Sequence, residues 1–134
     1  MSKYEDVVIA DQDTFIADFK EQMETFGLPI NDQQCKDFYS YYVALIESNR
    51  YMNLTGIVDM HEVFIKHFID SLSAYDPKYI KDGASLIDVG TGAGLPGLPL
   101  AIYNRSLKVT LFDSLQKRLN FLQRVVDQLG LDNV

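Results

Sequence analysis

The sequence has 134 residues, 47% hydrophobic and 23% charged, the balance of a soluble globular protein with chain enough for one domain and a good core. No apolar run approaches the roughly 20 residues of a membrane span, the opening Met-Ser-Lys-Tyr-Glu-Asp lacks the basic and apolar regions of a secretory signal, and the single cysteine, Cys35, permits no internal disulfide; a cytoplasmic protein with no membrane segment is expected. A net charge of -7 counts against nucleic-acid binding by the surface as a whole, because phosphate neutralisation needs clustered Lys and Arg. The acid is uneven, however, crowding the first helix region, while Arg50, Lys66, Lys81, Lys108, Lys117, Arg118 and Arg124 come later and leave room for a local basic face.

In chain order, Asp11 to Phe26 sets Phe15, Ile16, Phe19, Met23 and Phe26 at helical spacing, and Gly27 followed by Leu28-Pro29 is a stop signal. Asn31 with Gln34 makes a capping box for a second amphipathic helix carrying Cys35, Phe38, Tyr42, Leu45 and Ile46. Its tyrosines, Tyr39, Tyr41 and Tyr42, with Tyr51 beyond them, read as packing residues in preference to a base-stacking platform. Asn53-Leu54-Thr55-Gly56 is a loop, and Asp59 with Glu62 opens a third helix running to about Tyr75. His67, Asp70 and Ser71 share one face of that helix. They are too few for a metal site, and a helix-face hydrogen bond is favoured over base catalysis by His67.

Ser85 to Val89 is a short apolar run between Asp82-Gly83 and a string of glycines, and reads as a buried parallel strand. A helix from about Pro96 to Tyr103 follows, then a second strand over Leu107 to Phe112 and an amphipathic helix from Ser114 to Leu129 closed by Gly130. Leu131 to Val134 reads as the approach to a third strand. The expected class is therefore α/β, with an N-terminal helical region over 1–80 and a β-α-β-α unit over 81–134.

The glycine string supports two ligand classes. Gly92-x-Gly94-x-x-Gly97 with Asp113 downstream satisfies the dinucleotide fingerprint of an NAD-dependent oxidoreductase. Asp88-x-Gly90-x-Gly92-x-Gly94 instead has the arrangement of S-adenosylmethionine-dependent methyltransferases, and physical chemistry favours it. S-adenosylmethionine bears cationic groups and no pyrophosphate, so Asp88 can favour its amino group directly or through water, whereas the same acid would repel a pyrophosphate. Asp113, at the end of the second strand, would accept hydrogen bonds from the ribose. Both acids also have local structural readings, Asp88 as a cap for the glycine turn and Asp113 as the N-cap of the last helix. The absence of a Gly-Lys-Ser/Thr sequence excludes a P-loop.

Four ordered motifs, Asn53-Leu54-Thr55, His67-x-x-Asp70-Ser71, Asp88-Val89-Gly90-Thr91-Gly92-x-Gly94-Leu95-Pro96-Gly97 and Leu111-x-Asp113-Ser114-x-x-Lys117-Arg118-x-x-Phe121-Leu122, resemble the bacterial 16S ribosomal RNA guanine-N7 methyltransferase family, also called glucose-inhibited division protein B. The resemblance implies a Rossmann-like class I S-adenosylmethionine-dependent methyltransferase fold, methyl transfer to N7 of a guanine in 16S ribosomal RNA of the 30S subunit, and a cofactor site drawn from Asp88, Gly90, Thr91, Gly92, Gly94, Leu95, Asp113 and Ser114, with no metal. The catalytic residue is left unassigned, because guanine N7 has an available lone pair and needs positioning, not a general base. Two departures stand out. Ser48 occupies a place where the family often has tryptophan, and the family continues well beyond position 134 with further cofactor contacts, so the chain reads as an N-terminal half whose fold is truncated. On that reading the fragment alone is expected to be inactive or nearly so and to self-associate through its open sheet edge, and the full-length protein to be a monomer. A non-catalytic module that binds RNA or protein is the remaining alternative.

Overall fold

A computed structural model describes residues 4–134. Helix α1 spans Gln12–Thr25. It starts where the Asp11 carboxylate accepts from the Thr14 amide at 3.3 Å, and it ends at Gly27, whose φ of 69° lets the Leu28 amide turn back to the Met23 carbonyl at 2.9 Å. Helix α2 spans Asp32–Asn49 and opens on the expected reciprocal capping box between Asn31 and Gln34. The two helices bury Phe15, Phe19 and Met23 against Cys35, Phe38, Tyr41, Tyr42, Leu45 and Ile46.

The third helical run departs from a regular helix. After α3, Met60–Glu62, which the Asp59 side chain caps through the Glu62 amide, residues Val63–Ile69 form a π-helix, and α4, Asp70–Ser73, completes the run. The physical reason lies in its apolar spacing: Val63 and Phe68, like Phe64 and Ile69, are five residues apart and buried together, a spacing that the wider π turn brings onto one face. Phe64 and Phe68 there meet the rings of α1 and α2. Phe19 lies 5.2 Å from Phe38 and 5.1 Å from Phe64, and Phe38 lies 4.9 Å from Phe68. Tyr41 and Tyr42 are buried in this aromatic core, whereas Tyr51 is exposed.

Strand β1, Ser85–Val89, runs parallel to β2, Lys108–Phe112, in a register that sets Ser85 against Lys108 and Val89 against Phe112. Helix α5, Gly97–Tyr103, is the crossover between them, and α6, Gln116–Leu129, ends on Gly130 in the left-handed conformation. One hydrophobic cluster joins the helices preceding residue 81 to this β-α-β-α unit, with Phe38, Tyr41, Leu98, Ile102, Phe121 and Val125 among its members. The expectation of a fully buried strand is corrected here. Residues on one sheet face, Asp88 and Val109, are covered, while Ile87 (65% exposed), Val89 (79%) and Phe112 (54%) form an open apolar face on the other, as period-two alternation dictates when one layer is present. On the far edge of β2, the Val109 amide donates to the Asn133 carbonyl at 2.8 Å, so the C-terminal residues lie where a further strand would pair.

Among the described residues no helix is long and apolar enough to cross a membrane. Truncating Phe19 to alanine removes a ring shared by several aromatic contacts and is expected to lower unfolding free energy by about 3–5 kcal/mol in urea titrations. Ile87→Ala on the open face is expected to change it by less than about 0.5 kcal/mol.

Candidate functional site

The C-terminal end of β1 runs directly into the glycine loop, Gly90 to Leu95, which leads to α5. Gly90, Gly92 and Gly94 all have positive φ, at 73°, 59° and 101°, and only glycine takes such values readily. Their surroundings differ. Nothing lies within 4 Å of a Cβ built on Gly90 or Gly92, whereas one on Gly94 would stand 2.7 Å from Leu98, 2.8 Å from the Tyr41 hydroxyl and 2.9 Å from Leu122. The first two glycines therefore present bare backbone to an open side, and the third is packed against the core.

Asp88 lies beneath this loop, 8% exposed. Its Oδ2 accepts from the Thr91 hydroxyl at 2.6 Å and from the Gly97 amide at 3.0 Å. One buried carboxylate thus ties the start of the loop to the first turn of α5, and a Cβ at Gly97 would press on both Leu111 and Asp88. The turn-capping reading of Asp88 is what these bonds describe. Thr91 is buried with it, and the Leu95 amide returns to the Thr91 carbonyl at 3.1 Å. Pro96 follows through a cis peptide bond and immediately precedes the helix.

The loop is also bound to the end of β2. The amides of Gly90 and Thr91 both donate to the Phe112 carbonyl, at 2.8 and 3.0 Å, and the Gly92 amide donates to Asp113 Oδ2 at 2.9 Å. Asp113 Oδ1 accepts from the Leu115 amide at 2.9 Å and lies 3.5 Å from Arg118 Nη1. Asp113 is therefore not the N-cap of α6; that place belongs to Leu115, and Asp113 forms a turn two residues earlier. The amides of Leu115 and Gly92, with Arg118 adding to them, hold the Asp113 carboxyl below the usual carboxylate range, so it is ionised at neutral pH. Ser114 sits beside it, exposed to solvent.

The structure brings Asp88, Gly90, Thr91, Gly92, Gly94, Leu95, Asp113 and Ser114 into one loop and its adjoining strand end. His67, Asp70 and Ser71 belong elsewhere. The Ser71 hydroxyl bonds the His67 carbonyl at 2.5 Å, and His67 Nε2 lies 2.7 Å from the Thr55 hydroxyl, so the histidine secures the Asn53-Leu54-Thr55 loop. Burial lowers the His67 pKa and keeps it neutral. Asn49, fully buried, anchors the same loop by accepting from the Leu54 and Thr55 amides at 2.7 and 2.9 Å.

Two residues were not singled out from the sequence. Asn49 carries no motif signal beyond a polar residue at the end of an amphipathic helix. Tyr41 reads from the sequence as packing, yet its hydroxyl donates to the Ala93 carbonyl of the glycine loop at 2.5 Å, 52 residues away. Burial, with the Asp88 charge adding to it, pushes the phenol's pKa far up, so Tyr41 is a permanent donor. Among the described residues, no group of three or more His, Cys, Asp or Glu is arranged to hold a metal ion.

A parallel strand pair with an open glycine turn at its C-terminal edge and an ionised acid on the neighbouring strand defines an α/β protein, with its candidate site at the strand ends where open α/β sheets take ligands. Comparison with known sequences gives the family. The model of the family described as "GidB: rRNA small subunit methyltransferase G" matches residues 34–134, and the chain belongs to that family. The "Ribosomal RNA small subunit methyltransferase G" of Pediococcus pentosaceus is 49% identical over 119 residues, covering 87% of this chain and 49% of that protein. Proteins of the same name from Alkaliphilus metalliredigens and Lachnoclostridium phytofermentans are each 47% identical, covering 86% and 92% of this chain and 48% and 50% of their own lengths. The chain thus spans about half the length of the curated relatives it matches.

Gly94→Ala combines an unfavourable φ with three contacts under 3 Å. It is expected to lower stability by about 2–4 kcal/mol, against about 1–2 kcal/mol for Gly92→Ala, where backbone conformation alone opposes the side chain. Thermal unfolding of the two variants measures the difference.

Proposed function

We propose that this chain supplies the cofactor-binding part of an S-adenosylmethionine-dependent methyltransferase of class I, Rossmann-like fold that modifies guanine N7 in 16S ribosomal RNA of the small subunit, in the cytoplasm. The observation that carries the reading is the Asp88 carboxylate bonded to the first amide of α5. In a dinucleotide site the helix N-terminus receives the pyrophosphate; here a buried negative charge already occupies that amide. An NAD-dependent oxidoreductase is disfavoured for that reason, and a cation-bearing nucleoside ligand is favoured. Family membership and the names of the relatives support the same reading.

S-adenosylmethionine, when bound, supplies a methyl group activated on a sulfonium, which an uncharged guanine nitrogen accepts without a general base. This chain's part is binding and orientation. Gly90 and Gly92 offer backbone with no Cβ above it, Leu95 and Thr91 shape the turn, and Asp113, held ionised at the strand end beside exposed Ser114, is the acid assigned to the ribose hydroxyls. Its side chain is 2% exposed and accepts from Gly92, Leu115 and Arg118, so ribose binding must displace the 3.5 Å Arg118 contact. Asp88 fixes the loop and adds negative potential beneath it. The division into a helical region over 1–80 and a first β-α-β-α half over 81–134 assigns the second segment to cofactor and leaves the rest of the pocket to the half that the relatives carry beyond this match.

Calorimetric or NMR titration of this chain tests the reading. S-adenosylmethionine is expected to bind with a dissociation constant above about 1 μM, a binding free energy weaker than about 8 kcal/mol, NAD is expected not to bind, and Asp113→Ala is expected to remove the S-adenosylmethionine signal. NAD binding that depends on Asp113 would overturn the proposal, and sub-micromolar S-adenosylmethionine binding would overturn the claim that the pocket needs a second half.

The open face of Ile87, Val89 and Phe112, beside the edge of β1 that has no strand partner among the described residues, is further expected to drive self-association of this chain in isolation. Sedimentation velocity over a concentration series should show a rising mean mass. A strictly monomeric profile at high concentration refutes that expectation.

A further inference from the structure

The hydrogen bond from Tyr41 crosses from the aromatic core of the N-terminal helices to the glycine loop, and its geometry suits control of the loop better than filling of space. The ring is fully buried and stacked on Phe68, with centroids 5.3 Å apart and planes 28° from parallel, so the phenol has a fixed direction. It donates to the Ala93 carbonyl at 2.5 Å, drawing that carbonyl into the core. The next residue, Gly94, has φ 101° and lacks the Cβ that would strike the hydroxyl. Orientation of the Ala93-Gly94 peptide is thereby set from below, while Gly90 and Gly92 keep their open side free of protein atoms.

We infer that Tyr41 is a positioning residue of the cofactor site: by holding the Ala93 carbonyl inward it fixes the glycine loop in its binding conformation without touching the ligand. The inference rests on the functional reading above for the identity of the ligand. A preformed loop spares the ligand the ordering that a mobile loop would require. Were the ring present only to fill the core, its hydroxyl would be dispensable, since the apolar edge of a phenylalanine fills nearly the same space.

Tyr41→Phe separates the two roles, because it retains the ring and its stacking on Phe68 and deletes the hydroxyl, leaving a buried carbonyl without its donor. Amides over 91–95 of the ligand-free chain are expected to exchange with deuterium about tenfold faster, and the S-adenosylmethionine dissociation constant to rise by about tenfold. Exchange in α1 is expected to stay within about twofold of the unsubstituted chain, since its opening does not involve this bond. Leu45→Ala serves as the comparison, a core truncation in the same helix that lowers global stability while leaving loop exchange, relative to the rest of the molecule, unchanged. Loop exchange unaltered in Tyr41→Phe, acceleration spread evenly over the whole chain, or faster loop exchange with unchanged S-adenosylmethionine affinity would each overturn the inference. If the unsubstituted chain does not bind S-adenosylmethionine, the functional reading fails and takes the ligand assignment with it; the exchange experiment, made without ligand, shows which of the two has failed.

Discussion

The buried Asp88 carboxylate is the constraint on which the glycine loop depends. A charge removed from water must be met by donors or be neutralised, and Asp88 meets two, the Thr91 hydroxyl and the Gly97 amide. Because one donor belongs to the loop and the other to the first turn of α5, satisfying the carboxylate fixes where the loop ends and the helix starts. Gly97 must be glycine for the same reason: any Cβ there would enter the space of Asp88 and Leu111. Loop position and helix start thus have a common origin in one side chain at the end of a strand.

Around that fixed point the loop is tied from three further directions. The Phe112 carbonyl binds it along the sheet, Asp113 binds Gly92 from the neighbouring strand end, and Tyr41 binds Ala93 from α2. The helices preceding residue 81 therefore do more than shield a sheet face, since their core positions a hydroxyl that the loop uses. His67 and Asn49 work at one remove from this. They hold the Thr55 loop to the π-helix and α2, and Phe68, adjacent to His67, stacks on the Tyr41 ring.

Local signals in the sequence located most of the elements. Asp11, the Asn31 and Gln34 pair, Asp59, Gly27 and Gly130 all act through neighbours within a few residues, and each helix boundary they imply is where the structure has one. Asp113 reads as an N-cap yet lies two residues before it, because an acid before a helix can bond the chain as a cap or as a turn, and the amide of Gly92, brought in from 21 residues away, favours the turn. The π-helix was missed because Val63, Phe64, Phe68 and Ile69 also fit a broad α-helical stripe; their five-residue spacing is decisive only once Phe15, Phe19 and Phe38 are known to face them. Tyr41 was legible as a core residue and illegible as a loop anchor, since nothing near it in the sequence names a partner 52 residues on. The proposed site residues fall together because they lie in two contiguous segments, each at the end of a strand.

The acidic net charge of -7 weighs less against an RNA substrate than it first does. Net charge governs solubility and long-range steering, whereas contact with phosphate depends on charges within about a Debye length, near 10 Å. Asp11, Asp13, Asp18, Glu21 and Glu24 belong to α1 and its cap, and α1 packs its apolar side on α2, the π-helix and the aromatic core. At the binding edge the balance differs. Asp88 and Asp113 are each occupied by hydrogen-bond donors of the loop, and α6 begins just beyond Asp113 with Lys117 and Arg118, followed by Arg124. The C-terminal ends of the strands thus carry two carboxylates tied into the loop, with Lys117 exposed on the first turn of α6 and Arg118 set against Asp113, so charges of both signs meet beside the glycine loop, which the net charge of the whole chain does not report.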